Sequence, residues 1–307
     1  MSKVREQLLK KNGIATLMLA KQFLTYSVGD RVPTVTEFSE DLNISRGTVQ
    51  NSLKLLTDNK AIKCESKGHL GTYLLSKNLK ILLEFANITS ITGAMPLPYS
   101  KKYEGLATGL VTAMENQYGI PASMAYMRGS RNRIAMLLSD RCDFAIISKF
   151  AMDDYLKTRK DIGLVKDFGL NSYLSEHVII FHDNSKTTIT NGMKVAIDPE
   201  SIDQIKLTEI VCKGKKVDYV RVDYSKVLER IEDGDVDAAV WNKDGIINKT
   251  KHFNYKSIDS CKSDTEAVMV ASSSRTDMIE LLSELVDTDT VLNIQKLVED
   301  GKITPSY

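Results

Sequence analysis

Between Pro33 and Tyr73 the apolar positions change period twice. Val35, Phe38 and Leu42 recur at i, i+3, i+7, the spacing of one helical face, with Pro33 and Thr34 as start and cap signals. Leu42-Asn43-Ile44 reads as a turn, Ser45 as the N-cap of a second helix, and Val49, Leu53 and Leu56 as its inward stripe. Two strand-like runs, 61–64 and 71–75, then bracket Lys67-Gly68-His69-Leu70. A helix pair followed by such a hairpin predicts a winged helix-turn-helix. Upstream, residues 3–10 and 13–26 read as helices, the second with Ile14, Leu17, Met18, Phe23 and Leu24 inward.

From Ile88 onward strands alternate with helices, the pattern of an α/β fold with a largely parallel sheet. Residues 133–147 and 227–240 align without a gap at an offset of 94: Ile134 with Leu228, Leu137 with Ile231, Cys142 with Val236, Asp143 with Asp237, Ala145 with Ala239. Each copy reads as an amphipathic helix, an acidic turn and a short buried strand, preceded by another strand at 122–127 or 217–222. One βαβ unit used twice predicts two lobes. The span 172–182 is long and apolar enough to cross between them, and 265–273 to cross back. The expected division is therefore a winged helix-turn-helix domain at 1–76, a short linker at 77–87 without Pro/Gly-rich character, and a two-lobed α/β domain at 88–307.

Charge sharpens this division. Residues 1–76 carry 11 Lys/Arg against 7 Asp/Glu, a balance of +4, and the remainder 30 against 33, or −3. A small basic domain joined to a mildly acidic large one suits a nucleic-acid reader attached to a sensor. No acid occurs from Asn43 to Thr57, where a carboxylate would repel phosphate at short range. The outward face of the second helix carries Arg46, Gly47, Thr48, Gln50, Asn51 and Lys54, including side chains of the kinds that read base edges and phosphates. With Thr34, Ser45 and the wing residues Lys67, Gly68 and His69, these are the DNA-binding candidates. His69 is either a groove or phosphate contact or a solvated loop residue.

The stretch 33–73 resembles the DNA-binding domain of GntR-type bacterial regulators, which Ser45, Arg46, Thr48, Val49, Gly68, Gly71, Thr72 and Tyr73 match. Gln50 stands where that family usually has arginine, and the wing is one residue longer, which suggests a distinct subgroup. The chain as a whole resembles the YhfZ-like subgroup, and its two-lobed part is similar to type 2 periplasmic-binding-protein domains. The resemblance implies a transcriptional regulator that binds double-stranded operator DNA as a homodimer and closes on a small effector between its lobes. The apolar helices expected at 276–285 and 288–298, or the joint at 77–87, are the candidates for the dimer interface.

In open α/β sheets a ligand lies beyond the carboxyl ends of the strands, where helix N-termini point at it. That rule selects Met95, Pro96, Leu97, Pro98 and Tyr99, the turn Arg128-Gly129-Ser130, and Ser148 in the first lobe. In the second it selects Asp198, Asp223, Tyr224, Trp241 and Asn242. Arg128, with Arg131 or Arg133 nearby, adds positive charge to a helix N-terminus and points to an anionic effector; its alternative is a surface salt bridge. The single tryptophan, Trp241, either lines the pocket or packs in the core.

Catalysis has little support. GxSxG, HExxH, P-loop and GxGxxG patterns are absent, and His69, His177, His182 and His252 have no ligand spacing. No metal, no cofactor and no enzymatic activity are expected. An enzyme on the same two-lobed fold is the rival reading, and it would draw on Asp198, Asp223 and His177. Cys64, Cys142, Cys212 and Cys261 are widely spaced and read as reduced thiols. No run of eighteen apolar residues occurs, so neither a membrane partner nor a signal peptide is expected, and a cytoplasmic location follows.

Overall fold

A computed structural model describes residues 11–246, 253–258 and 262–307. The expected helix at 3–10, His252 and Cys261 lie outside the described residues. In chain order the elements are α1 (Lys11–Thr25), β1 (Arg31–Val32), α2 (Val35–Asp41), α3 (Arg46–Asp58), β2 (Ile62–Ser66), β3 (Thr72–Lys77) and α4 (Leu79–Phe85). Then follow β4 (Ile91–Met95), α5 (Lys101–Tyr118), β5 (Ala122–Tyr126), α6 (Ser130–Leu138), β6 (Phe144–Ser148), α7 (Lys149–Leu156) and β7 (Ile162–Asp167). The rest comprises β8 (His177–Phe181), β9 (Lys194–Ile197), α8 (Ile202–Val211), β10 (Asp218–Arg221), α9 (Val227–Glu232), β11 (Ala238–Asn242), β12 (Asn254–Ser257), β13 (Ala267–Ser272), α10 (Thr276–Leu285) and α11 (Thr288–Glu299).

Two compact units emerge. The first holds the residues up to Ile91 together with Met114–Pro121 and Arg275–Leu285. Its helix-turn-helix is set by two caps. The Thr34 hydroxyl accepts the Glu37 N–H while the Glu37 carboxylate accepts the Thr34 N–H, and the Ser45 hydroxyl accepts the Thr48 N–H at 3.3 Å. Phe38, Val49 and Leu56 are buried, and α1 covers them. The buried face of α1 is Ala15, Leu19, Ala20, Phe23 and Leu24, whereas Ile14, Leu17 and Met18 are only half-buried. That face is fixed by α3, against which α1 packs with Thr16 hydrogen-bonded to Ser52 at 3.0 Å. The wing is an antiparallel sheet in the order β1-β3-β2. Residues 79–85 of the expected linker form a helix capped by Asn78 and packed on α1. Helix α10 also packs on α1, burying Met278, Leu281, Leu282 and Leu285. Its apolar face is thus covered within the chain, which removes it as the expected dimer surface.

The second unit comprises Thr92–Ala113, Ala122–Ser274 and Val286–Tyr307. It contains two five-stranded sheets of matching order, β5-β4-β6-β13-β7 and β10-β9-β11-β8-β12. The two copies of the repeat supply equivalent strands in each, β5 and β6 in the first and β10 and β11 in the second, with β4 and β9 lying between them in the same relative place. The fourth strand of each sheet runs antiparallel and is exchanged, β13 returning to the first lobe and β8 crossing into the second. All residues of β6, β8, β11 and β13 are buried.

The matched aspartates explain the acidic turn of the repeat. Asp143 accepts the Thr92 N–H at 2.9 Å and donates its own N–H to Thr92 at 2.7 Å; Asp237 does the same to Lys194 at 2.7 and 2.8 Å. Each carboxylate thereby ties the start of one strand to its neighbour. Helix α11 lies close to α5: a Cβ on Gly105 or Gly109 would fall 2.7 or 2.6 Å from a carbonyl oxygen of Gln295 or Val291. Gln295, buried, donates to the Lys102 and Ser172 carbonyls at 3.0 and 2.8 Å and so anchors the segment that crosses between lobes. The inward face of α11 is therefore also occupied and is not a free dimer surface. Among the described residues no helix is long and apolar enough to cross a membrane.

Candidate functional site

Within the second unit the carboxyl ends of the strands face a narrow cleft of about 50 Å³ that is open on one side to solvent. The first lobe contributes Pro96, Leu97 and Tyr99 after β4, Tyr103 of α5, the turn Met127–Gly129 after β5, and Ser130 and Arg133 of α6. The second contributes Asp198 and Ser201 after β9, Asp203 of α8, and Tyr224. The crossing segment adds Tyr173, Leu174 and His177.

Several bonds hold the lobes together. Arg128 reaches across to Asp223 at 2.5 Å and to Asp198 at 3.7 Å. The Ser148 hydroxyl donates to Asp203 at 2.5 Å, and Arg131 donates to the Pro199 carbonyl at 3.4 Å. Tyr99 meets Tyr224 at a ring separation of 5.7 Å. Gly129 has φ +76°, and a Cβ there would lie 2.3 Å from the Glu200 carbonyl oxygen, so only glycine admits this approach. Asp198 is fully engaged: one carboxylate oxygen accepts the Glu200 N–H and the other the Tyr224 N–H, both at 2.9 Å.

The depth of the cleft is electrostatically unusual. Arg133 is 3% exposed and donates to the carbonyls of Ile146 and Met127 and to the Tyr173 hydroxyl at 2.8–2.9 Å, all neutral acceptors. Burial pushes the Asp203 carboxyl up, against the pull of His177, Ser148 and Arg133. Burial likewise raises the phenols of Tyr103, Tyr173 and Tyr224, which remain neutral. His177 bonds Asp264 through Nδ1 at 2.7 Å, both buried. It does not meet Asp223, which is exposed, in any triad-like arrangement. Among the described residues no group of three metal-ligating side chains occurs.

Several expected ligand residues lie elsewhere. Met95 is fully buried in β4, and Pro98 does not line the cleft. Trp241 packs in the second-lobe core, stacked at 3.8 Å beneath Tyr224, because β11 ends inside the sheet and Tyr224 lies over it. Asn242, also buried, caps the following turn by accepting the Asp244 N–H at 2.9 Å. Ser148 caps α7 besides holding Asp203. Asp223 is a partner of Arg128 rather than a cleft wall, and the charge of Arg128 is itself taken up by carboxylates. Asp203, Tyr103 and Tyr173 were not among the expected ligand residues, and Arg133 was expected only as an alternative to Arg131 in adding charge beside Arg128. Asp203 follows the strand-end residue Asp198 by one helical turn, within Ser201-Ile202-Asp203-Gln204, and extending the strand-end rule into the first turn would have reached it.

In the first unit, Arg46, Gly47, Gln50, Asn51 and Lys54 are exposed on α3 and Thr48 is half-buried. Thr34 and Ser45 are exposed but use their hydroxyls as caps. At the wing, Gly68 has φ +61°, His69 is exposed, and the Lys67 ammonium lies 4.8 Å over the Tyr73 ring. Cys64, Cys142 and Cys212 are free thiols, and burial pushes that of Cys142 up to about 12.

Residues 78–307 match the YhfZ C-terminal domain family, and residues 27–74 match a helix-turn-helix domain family. Protein YhfZ of Escherichia coli (strain K12), itself uncharacterized, is 33% identical over 312 residues, covering 99% of this chain and all of that one. The crystal structure of YhfZ from Shigella flexneri superposes with a TM-score of 0.61 at 31% identity, over 74% of this chain and 97% of the other. The VFT2 domain of BvgS from Bordetella pertussis shares the fold at 15% identity and a TM-score of 0.51, over 69% of this chain and 94% of that domain.

Proposed function

This chain belongs to the YhfZ family, and from that premise we propose that it is a DNA-binding transcriptional regulator whose operator affinity responds to a small effector held between two α/β lobes. One observation carries this reading: a capped α3 presents a polar face free of acids as far as Thr57 in the same chain as a lobe-to-lobe cleft lined by buried charge. Docking follows the GntR-type pattern, with Arg46, Gln50, Asn51 and Lys54 in the major groove and the 67–69 wing beside it. One winged helix covers one half-site, so the active species is a dimer on a pseudo-palindrome, acting in the cytoplasm. The effector carries an anionic group, because the first-lobe wall combines a helix N-terminus with Arg133.

The test is selection of genomic DNA fragments by the full chain, followed by anisotropy titration of the selected site with and without a cell metabolite extract. A single recovered motif with inverted half-sites, bound more tightly or more weakly in the extract, is expected. Recovery of no motif would refute the regulator reading.

A further inference from the structure

The two walls of the cleft carry unmatched needs of opposite sign. On the first lobe, Ser130 is 2% exposed, lines the cleft, and its hydroxyl has no hydrogen-bond partner. It is the first residue of the nine-residue α6, whose opening N–H groups have no intrahelical acceptor and whose cap, Gly129, brings no side chain. One turn further, Arg133 spends its bonds on neutral oxygens, and among the described residues no carboxylate forms an ion pair with it. A buried guanidinium so placed has no carboxylate in contact among the described residues and acts on Asp203 only through space.

On the second lobe the need is reversed. Asp203 is 6% exposed and is oriented by the Ser148 hydroxyl. Its carboxyl is held up by burial, which outweighs the through-space pull of His177 and Arg133, and among the described residues no cation forms an ion pair with it. Arg128 cannot supply that charge, being already bonded to Asp198 and Asp223. Arg128 is a latch between lobes, not a ligand for the effector.

The geometry points to a small zwitterion as the effector, its anionic group on Ser130, Arg133 and the start of α6, and its cationic group on Asp203, so that each end engages a different lobe. This rests on the reading of the cleft as an effector site and adds the cation that reading lacks. The cleft's volume of about 50 Å³ corresponds to roughly three to five water molecules, which suits a compact molecule with both charges close together. Because neither lobe satisfies both ends, the zwitterion favours the closed form over the open one, as any effector that shifts the equilibrium must.

The test is calorimetric titration of the full chain with the common α-amino acids, β-alanine and taurine, each α-amino acid paired with its deaminated carboxylic acid and its decarboxylated amine. At least one zwitterion is expected to bind ten-fold or more tightly than both of its singly charged relatives. Asp203→Asn is expected to bring that zwitterion down to the affinity of its deaminated acid, and Ser130→Ala to weaken zwitterion and acid alike. Should either variant fail to fold, the comparison of zwitterion with singly charged relatives on the parent protein still decides. Plain carboxylates or inorganic phosphate binding as well as any zwitterion would overturn this inference and leave the anionic effector standing. Binding of neither class, with no change in operator affinity, would overturn both.

Discussion

At residue scale the cleft turns on Gly129 and Asp203. Gly129→Ala places a methyl against the Glu200 backbone and forces φ +76° on a residue with a Cβ. With ψ at 136° the backbone lies outside the left-handed helical well, and holding a residue with a Cβ there costs about 1–3 kcal/mol. The expected outcome is a lobe pair that no longer closes, seen as a larger radius of gyration in X-ray scattering and as loss of effector-induced thermal stabilisation. Asp203 has a folded-state pKa raised above its unfolded value. Between those two values the folded protein holds a proton the unfolded chain has lost, so this group makes stability fall as pH rises across that window. Asp203→Asn should remove that fall: thermal melts of the ligand-free variant run from acid to neutral pH should be flatter than the parent's and no lower at neutral pH. The caps at Thr34 and Ser45 were legible from residue type and spacing, because capping is local. The burial of Trp241 was not, since it depends on Tyr224, which lies seventeen residues earlier and stacks on it only in the folded lobe. The separate roles of Arg128 and Arg133 were equally hidden, both being arginines at one helix start, and only the facing carboxylates distinguish them.

At the scale of elements, α3 and the α5–α11 contact make opposite kinds of prediction. Arg46→Ala should cost roughly 1–3 kcal/mol of operator affinity and relax specificity at one position per half-site if Arg46 grips a base, as anisotropy on matched and mismatched sites would show. A uniform loss with a smaller salt slope would make it a phosphate contact. Gly105→Ala or Gly109→Ala, by contrast, should leave α3 untouched and destabilise the chain by roughly 1–3 kcal/mol in urea melts, because each methyl meets a carbonyl of α11 that cannot move aside cheaply. The repeated βαβ unit could be read from the sequence because both copies keep the same buried and acidic positions. The strands β1, β7 and β12 could not. β1 is two residues long and is defined by its partner β3, and β7 and β12 are edge strands whose exposed positions break any apolar pattern. The glycines that let α11 approach α5 looked like ordinary helix residues, and so the apolar stripe of α11 was read as a dimer surface.

For the whole molecule, an effector that closes the lobes and alters operator binding must obey reciprocity. A coupling of about 1–3 kcal/mol is expected, and saturating operator must change effector affinity by the same factor. Arg128→Ala, which frees Asp198 and Asp223 from their bridge, should weaken effector binding and the response while leaving effector-free operator affinity unchanged. Anisotropy for DNA and calorimetry for effector, each measured with and without the other ligand, check both statements.

The exchange of β8 and β13 also sets an order in time. The second-lobe sheet is built from one continuous stretch, 177–257, whereas the first-lobe sheet waits for β13 at 267–272 to fill the slot between β6 and β7. On the ribosome, the lobe that emerges first is therefore finished last. Until β13 arrives, the edge of β6, buried throughout in the finished fold, stands open, a template for another chain's strand. A nascent chain stalled or cleaved near residue 260 would carry one finished lobe and one sticky one, and holdase chaperones should capture it in preference to chains that stop shortly after residue 280.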